Sequence, residues 1–240
     1  MIDESARRSL FPAAALTRAG QALVRAAPPG GRARWERTRH AGPAVAVGAG
    51  IAAARVHPAA GAAVAAAGVC GAYDDIAGDH RRGFRAHPRA LRDGGITSGA
   101  VKPSGISAAG PAAGAVLTER PVDTLLAGVV IAGSAHLVNL LDVRPGRAAG
   151  AALGVPGLPR KGPGARPAAG AMGAAAAVLP DDAGERVMLG DTGAHALGAA
   201  LGAAVVAGNR RAGLLAHAVA LVAAARYGDR VSTLARAGRG

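Results

Sequence analysis

From Pro43 onward the chain alternates apolar runs with short breaks of Pro, Gly or charged residues. Breaks such as His57-Pro58 and Asn209-Arg210-Arg211 are typical of helix boundaries. The pattern therefore predicts an all-α protein with short connections. The predicted helices cover residues 44–56, 58–73, 103–118, 122–141, 147–158, 167–179, 193–208 and 211–225.

Composition indicates which kind of helix bundle this pattern favours. Half of the 240 residues are hydrophobic, yet only 2% are aromatic and 37 are Gly. A water-soluble core normally buries large aliphatic and aromatic side chains, whereas membrane helices pack closely through small residues. The sequence therefore predicts a polytopic membrane helix bundle of about eight short Ala/Gly-rich transmembrane helices within residues 43–228.

The lengths of the runs leave an alternative open. Several are shorter than the roughly 17–25 residues that a full span needs, so a soluble bundle of Ala-rich helices is the competing interpretation. Outside the bundle we expect a basic cytosolic or interfacial segment over residues 1–42 and a cytosolic tail over residues 229–240. The apolar stretch from Ser9 to Val24, which Arg18 interrupts, could form an interfacial or signal-like helix.

The distribution of charge predicts the orientation of the helices. A net charge of +13 is typical of nucleic-acid binding, but aromatic residues for base stacking are nearly absent, so we expect no nucleic-acid partner. With eight spans and a cytosolic N-terminus, 21 of the 28 Lys and Arg residues fall on the cytosolic side. The sequence thus predicts a multi-pass protein of the cytoplasmic membrane. A soluble basic DNA-associated protein remains the alternative.

Carboxylates close the second apolar run. Asp74 and Asp75 are adjacent, and Asp79 follows Asp75 by one helical turn. Acids at a membrane boundary are costly to place and usually serve chemistry, and Mg²⁺ prefers oxygen ligands of this kind. A solvated helix end is the simpler explanation. A basic segment follows, and Lys102 stands where the next apolar run begins.

A second polar cluster closes the run over residues 122–141. His136, Asn139 and Asp142 follow one another at a spacing of three, so they lie near one helix face. Arg144 and Arg147 come next and could pair with a phosphate. The simpler explanation makes Asn139 an interhelical hydrogen-bonding residue and Asp142 a loop residue.

A third polar cluster precedes the run over residues 193–208. Asp191 lies between Gly190 and Gly193, where a carboxylate could serve a metal or only cap a helix. The predicted topology puts all three clusters on the cytosolic face although they are far apart in sequence. We therefore expect them to converge on one polar site that faces the cytosol.

In their order and spacing these motifs resemble a known family. The chain resembles the polyprenyl-phosphate N-acetylhexosamine-1-phosphate transferases, which include the phospho-N-acetylmuramoyl-pentapeptide transferase of peptidoglycan synthesis. The resemblance runs from Trp35 to about Gly202. It comprises ERTRHAGPAV, AYDD, HPRALRDGGITSGAVK, NLLD and LGDTGAHALGAALG.

The resemblance implies an activity and its residues. It implies Mg²⁺-dependent transfer of a sugar-1-phosphate from a UDP-sugar to a polyprenyl phosphate carrier, with release of UMP, in cell-envelope glycan synthesis. Asp74, Asp75 and Asp142 would be catalytic, and Asp191 together with Asp75 would bind the metal. The residues that it assigns to substrate are Lys102, His136, Asn139 and Arg144. Expected partners are the lipid carrier, the UDP-sugar and membrane lipids, and a homodimer is left open.

Departures from the family pattern favour a second hypothesis. His136 stands where the family usually has Asn, and Val143 replaces a Gly. The segment from Arg144 to Ala148 replaces an Asp-Gly-Leu-Ala text, and the His-rich loop of many members is not found. The alternative is a catalytically inactive membrane scaffold, or a lipid-carrier-binding protein, of the same fold.

Overall fold

The computed structural model describes residues 4–28, 31, 41–77, 118, 120–154 and 161–237, which form helices and no β-strand. The all-α prediction is therefore confirmed for this part of the chain. The helices are α1 (Glu4–Ala26), α2 (Gly42–Ala54), α3 (Pro58–Ala77), α4 (Pro121–Leu141), α5 (Arg147–Gly154), α6 (Ala165–Ala183), α7 (Gly190–Gly208), α8 (Arg211–Arg226) and α9 (Gly228–Ala237).

Two helices extend beyond the predicted apolar runs, so the polar motifs at their ends lie inside the helices. Helix α3 continues four residues past the predicted end at residue 73, so Asp74 and Asp75 lie in its last turn. Helix α7 begins at Gly190, so Asp191 lies in its first turn. Apart from Thr118, the predicted helix over residues 103–118 falls outside the described residues.

Helix α7 is the central element of the bundle. Fifteen of its 19 residues are buried, and it packs against α2, α3, α4, α5 and α6. A helix that is apolar all round is stable only where neighbours surround it. The position of α7 therefore places its first turn, with Asp191, among the ends of several other helices.

Small residues let the helices cross at short distances. A Cβ added to Gly202 of α7 would lie 2.7 Å from the Ile131 Cα of α4, and one added to Gly198 would meet the backbone of Ser134 and Ala135. Such contacts leave no room for even a methyl group. The crossing of α4 and α7 therefore depends on glycine at these two positions.

Many large apolar side chains lie on the outside of the bundle, while the core consists chiefly of alanine with some valine and leucine. Among exposed residues, Val69 is 69% accessible, and Leu125 and Val219 are each 62% accessible. They belong to stripes at helical spacing on three helices. The stripes are Val69, Tyr73 and Ile76 on α3; Val122, Leu125 and Val129 on α4; and Leu215, Val219 and Val222 on α8.

Helix α1 packs against α2 and α6 within the bundle. Its buried face is small and partly polar, and consists of Ala6, Ser9, Ala13, Thr17 and Gln21. The backbone of Leu10 lies against Gly173 of α6, and Arg25 Nη2 donates to Asp181 Oδ2 at 2.8 Å. Helix α1 therefore runs in the same direction as α6, with its C-terminal end near Asp181.

Helix α4 is the one helix in the described ranges that is long and apolar enough to cross a membrane, with 21 residues of which about a third are buried. The shorter helix α2 is also apolar. Within the described residues, length and composition therefore support a membrane crossing for this one helix only.

Candidate functional site

The last turns of α3, α4 and α6 meet the first turn of α7 at one end of the bundle, called here the acid end. Each element brings a carboxylate, namely Asp75 from α3, Asp142 after α4, Asp182 from α6 and Asp191 from α7. Three of the acids predicted from distant motifs, Asp75, Asp142 and Asp191, are therefore neighbours. Asp182 joins them, although the sequence analysis did not select it.

Asp75 caps α7 from outside that helix. Its Oδ1 accepts the backbone N–H of Asp191 at 3.0 Å, and its Oδ2 accepts the Thr192 N–H at 3.0 Å and the Thr192 hydroxyl at 2.6 Å. The first N–H groups of a helix have no intrahelical acceptor, and no side chain of its own caps α7 at Leu189. Asp75 supplies the missing acceptors through space, so the first and third motifs are joined directly.

Gly71 allows this approach. It lies one turn before Asp75 on α3, and a Cβ at this position would collide with the Asp191 carbonyl and lie 2.6 Å from the Thr192 nitrogen. The backbones of α3 and α7 are therefore in contact where the carboxylate reaches across.

Asp142 is the acid whose ionisation the site perturbs most. Its pKa rises to about 7, mainly because the carboxyl is buried. Repulsion from neighbouring carboxylates adds to the rise, and a hydrogen bond from the Gly190 N–H opposes it. The repelling groups, in decreasing order of effect, are Asp182, Asp191 and Asp75. The raised pKa of Asp142 thus reflects its burial beside three other carboxylates.

Asp182 joins two connecting segments at the acid end by accepting a hydrogen bond from each. Its Oδ2 accepts the Gly146 N–H at 3.0 Å, and it also accepts the Leu189 N–H. Burial raises the pKa of Asp182, and these two hydrogen bonds oppose that rise. Asp182 therefore ties the turn after Asp142 to the segment before Asp191. The signal in the sequence is the Asp181-Asp182 pair directly after an apolar run, which repeats the Asp74-Asp75 pattern.

The neighbouring Asp181 faces arginines instead. Its Oδ1 accepts from Arg186 Nε and Nη2 at 2.9 and 2.7 Å. Its Oδ2 accepts from Arg25 at 2.8 Å and Arg18 at 3.3 Å. The guanidinium groups of Arg186 and then Arg25 hold the pKa of Asp181 below its usual range. This cluster fastens α1 to α6 beside the acid end.

Two turns near the acids require glycine. Gly190 has φ +67° and Gly146 has φ +73°, a region that residues with a Cβ rarely adopt. A Cβ on Gly146 would also lie 2.9 Å from that of Ala183. Both residues donate a backbone N–H to an acid, so the turn geometry and the site are coupled.

The other predicted site residues are distributed around this end. Asp74, His136 and Asn139 are half-buried on α3 and α4, and Arg144 is exposed. Lys102 and Asp79 lie outside the described residues. Arg147, at the start of α5, has a buried Nη2 with no hydrogen-bond partner in the part of the chain that the structure describes. His195 of α7 was not selected from the sequence, although it is buried and its Nδ1 lies 2.7 Å from the Asp191 carbonyl oxygen.

The carboxylates at the acid end are the kind of ligand that a hard cation prefers, although their spacing does not form a complete metal site among the described residues. Carboxylate oxygens are the ligands that Mg²⁺ prefers, and four acids converge here, three of them raising the pKa of Asp142. Within the described residues, however, no three Asp, Glu, His or Cys side chains are close enough together to hold a metal. Both oxygens of Asp75 already accept hydrogen bonds from α7. Asp142 and Asp191 are therefore the better candidates.

Comparison with protein-family models gives no match, and no curated protein matches the chain significantly.

Proposed function

We propose that the chain is an integral membrane phosphosugar transferase, which moves a sugar-1-phosphate from a UDP-sugar to a polyprenyl phosphate and releases UMP. One observation carries the proposal: Asp75, Asp142 and Asp191, from three motifs far apart in sequence, meet at one end of the bundle. Repulsion among buried acids destabilises a fold unless a bound cation offsets it. Acids perturbed in this way are common at functional sites.

The surface of the bundle supports a membrane location. Apolar stripes on α3, α4 and α8 face outward while the core is built from alanine and glycine. Water would penalise this arrangement, whereas lipid accepts large side chains and lets small residues pack between helices. In the proposed placement the helix bundle, including α1, crosses the membrane and the acid end faces the cytosol.

The proposed roles follow from charge. Asp142 and Asp191 would hold Mg²⁺, which would screen the phosphate groups of donor and acceptor when bound. Asp75 positions the first turn of α7, and Asp74 is the remaining acid of its pair for a proton-accepting role. A phosphate oxygen would accept a hydrogen bond from the buried Nη2 of Arg147, which has no acceptor among the described residues. In the reaction an oxygen of the acceptor phosphate bonds to the sugar-bearing phosphorus, and the bond to UMP breaks.

The direct test is Mg²⁺-dependent release of UMP from UDP-sugars in the presence of polyprenyl phosphate. We expect Asp191→Asn and Asp142→Asn to lower kcat by about 100-fold or more, because each removes a charge that the transition state requires. Asp229→Asn, which changes an exposed acid on α9, is the matched control and should retain full activity. Equal turnover by wild type and Asp191→Asn would remove Asp191 from its role.

A non-catalytic lipid-carrier-binding scaffold is the second candidate. It is favoured by the use of both Asp75 oxygens as a helix cap and by Val143 and Pro145 in the second motif. Binding of polyprenyl phosphate without UMP release from any UDP-sugar would favour the scaffold. Mg²⁺-dependent thermal stabilisation of wild type, lost in Asp142→Asn, would instead support the metal site independently of turnover.

A further inference from the structure

A polar cleft opens at the end of the bundle opposite the acids, between the starts of α4 and α8 and the end of α7. It has a volume of about 660 Å³, and we call it the arginine cleft. The residues that give it its character are Arg120, Asp123, Asn209, Arg210 and Arg211. Because α4 has 21 residues, the cleft and Asp142 are about 30 Å apart. The cleft is therefore distinct from the acid end.

The described residues of this cleft carry more positive than negative charge. Arg211 pairs with Asp123 through two hydrogen bonds, Nε to Oδ1 at 2.6 Å and Nη2 to Oδ2 at 3.1 Å. Arg120 and Arg210 make no ion pair or side-chain hydrogen bond with the described residues. One carboxylate thus faces three guanidinium groups, an excess of two positive charges. Glu119, beside Arg120 in the sequence, lies outside the described residues and this count.

The local backbone adds to the positive potential instead of balancing it. Arg120 and Arg210 occupy the N-cap positions of α4 and α8, where acidic or hydroxyl side chains are normally favoured. Neither makes a capping side-chain hydrogen bond. Asn209 turns its amide back to the Val205 carbonyl at 2.8 Å. The cations are thus gathered where the described residues offer them only one anion.

We propose that the arginine cleft binds a phosphate group. Guanidinium groups form paired hydrogen bonds with phosphate oxygens, and two of the three here donate to no side chain among the described residues. The phosphate could come from an anionic lipid headgroup, which would lie at this end in the proposed membrane placement, or from a free phosphate in solution. Both sources share the same chemistry, and the experiment separates them.

The test uses the full chain in neutral detergent and in lipid vesicles. In the first arm, calorimetry measures the affinity for inorganic phosphate at low salt. In the second, native mass spectrometry counts the phosphatidylglycerol molecules that the protein retains from vesicles of phosphatidylcholine with about one quarter phosphatidylglycerol. The variant is Arg120→Gln with Arg210→Gln. Both residues are exposed, so circular dichroism should show an unchanged fold.

The matched control is Arg55→Gln with Arg166→Gln, which removes the same charge from exposed positions at the end of α2 and the start of α6, outside the cleft. We expect the cleft variant to bind about tenfold more weakly in at least one arm, and the control to stay within about twofold of wild type. Binding in the phosphate arm identifies a soluble ligand, and binding in the lipid arm alone identifies a headgroup. Equal weakening of both double variants, or no binding by wild type in either arm, overturns the proposal.

Discussion

At the scale of single residues, Asp75 joins α3 to α7 by accepting hydrogen bonds from the first turn of α7. A carboxylate that accepts N–H groups at the start of a helix is favoured by both the unpaired donors and the helix dipole. Here acceptor and donors are 116 and 117 positions apart in the chain. The bonds therefore stabilise tertiary structure as well as the local helix end.

Asp75→Asn should reduce the free energy of unfolding by about 1–3 kcal/mol, because the amide offers one acceptor oxygen where two accept now. Thr192→Val should lose about 1 kcal/mol, since it removes only the 2.6 Å hydroxyl bond. Denaturant unfolding in detergent measures both changes. Asp229→Asn removes the same charge from an exposed position on α9, and a loss equal to that of Asp75→Asn would contradict the capping role.

The raised pKa of Asp142 predicts how stability depends on pH. Its folded-state pKa of about 7 exceeds the ordinary value of 3.8, so folding takes up a proton between these values. Stability should fall as pH rises through this interval, by up to about 4 kcal/mol, and then level off. Asp142→Asn should therefore stabilise the metal-free protein at about pH 8 and much less at about pH 4.

Unfolding curves of wild type and Asp142→Asn at both pH values check this prediction. Asp229→Asn is again the control, because it removes an exposed acid that is not one of the four clustered carboxylates. A stability difference between wild type and Asp142→Asn that is the same at both pH values would contradict the assigned pKa.

Residue patterns in the sequence identified Asp75, Asp142 and Asp191 as candidates because each interrupts or borders an apolar run. They did not identify Asp182, since its role depends on backbone N–H groups of two turns that only the fold brings together. The same holds for Asp75, whose use as a cap for α7 has no local signature.

At the scale of elements, α7 is held by close contacts between backbones. Gly198→Ala would push a methyl group into the backbone of Ser134 and Ala135 on α4. We expect it to reduce the free energy of unfolding by about 1–3 kcal/mol through overpacking. Gly150→Ala on α5 is the matched control, since nothing lies within 4 Å of the added carbon.

The control should be neutral or stabilising by about 0.5–1 kcal/mol, because alanine is the better helix former. Thermal unfolding of both variants in the same detergent measures the difference. Two substitutions with the same effect would show that α4 and α7 adjust without cost, contrary to the contacts described.

Helix positions followed from the apolar runs, because runs of this length bounded by Pro, Gly and charge have few alternatives. The place of α1 in the bundle did not. Its buried face contains Ser9, Thr17 and Gln21 among alanines, so hydrophobicity alone does not mark it. Apolar runs also do not reveal which helix lies in the centre, since that depends on long-range packing.

At the scale of the whole molecule, the direction of α1 changes the expected position of the N-terminus. Helix α1 runs toward the acid end, where Arg25 meets Asp181. Helix α9 also lies at that end, since Ser232 Oγ donates to the Leu140 carbonyl. In the proposed membrane placement the two termini are therefore on opposite sides, whereas the sequence analysis expected both in the cytosol.

Epitope tags at the two termini test this arrangement. In inside-out vesicles we expect protease to remove the C-terminal tag and spare the N-terminal one, with the reverse in right-side-out vesicles. A soluble bundle would give another result, because no vesicle would protect either tag. A bundle with both termini in the cytosol would also differ, because protease would remove both tags from inside-out vesicles. Untreated and detergent-opened vesicles are the controls.

The contact between Asp75 and Thr192 also has a consequence for biosynthesis. Asp75 is made early, yet its partners at positions 191 and 192 leave the ribosome more than a hundred residues later. Until then the carboxylate must stay hydrated or find a temporary partner. The acid end can thus assemble only after α7 has been made, so a nascent chain stalled before α7 would hold the first motif without the third.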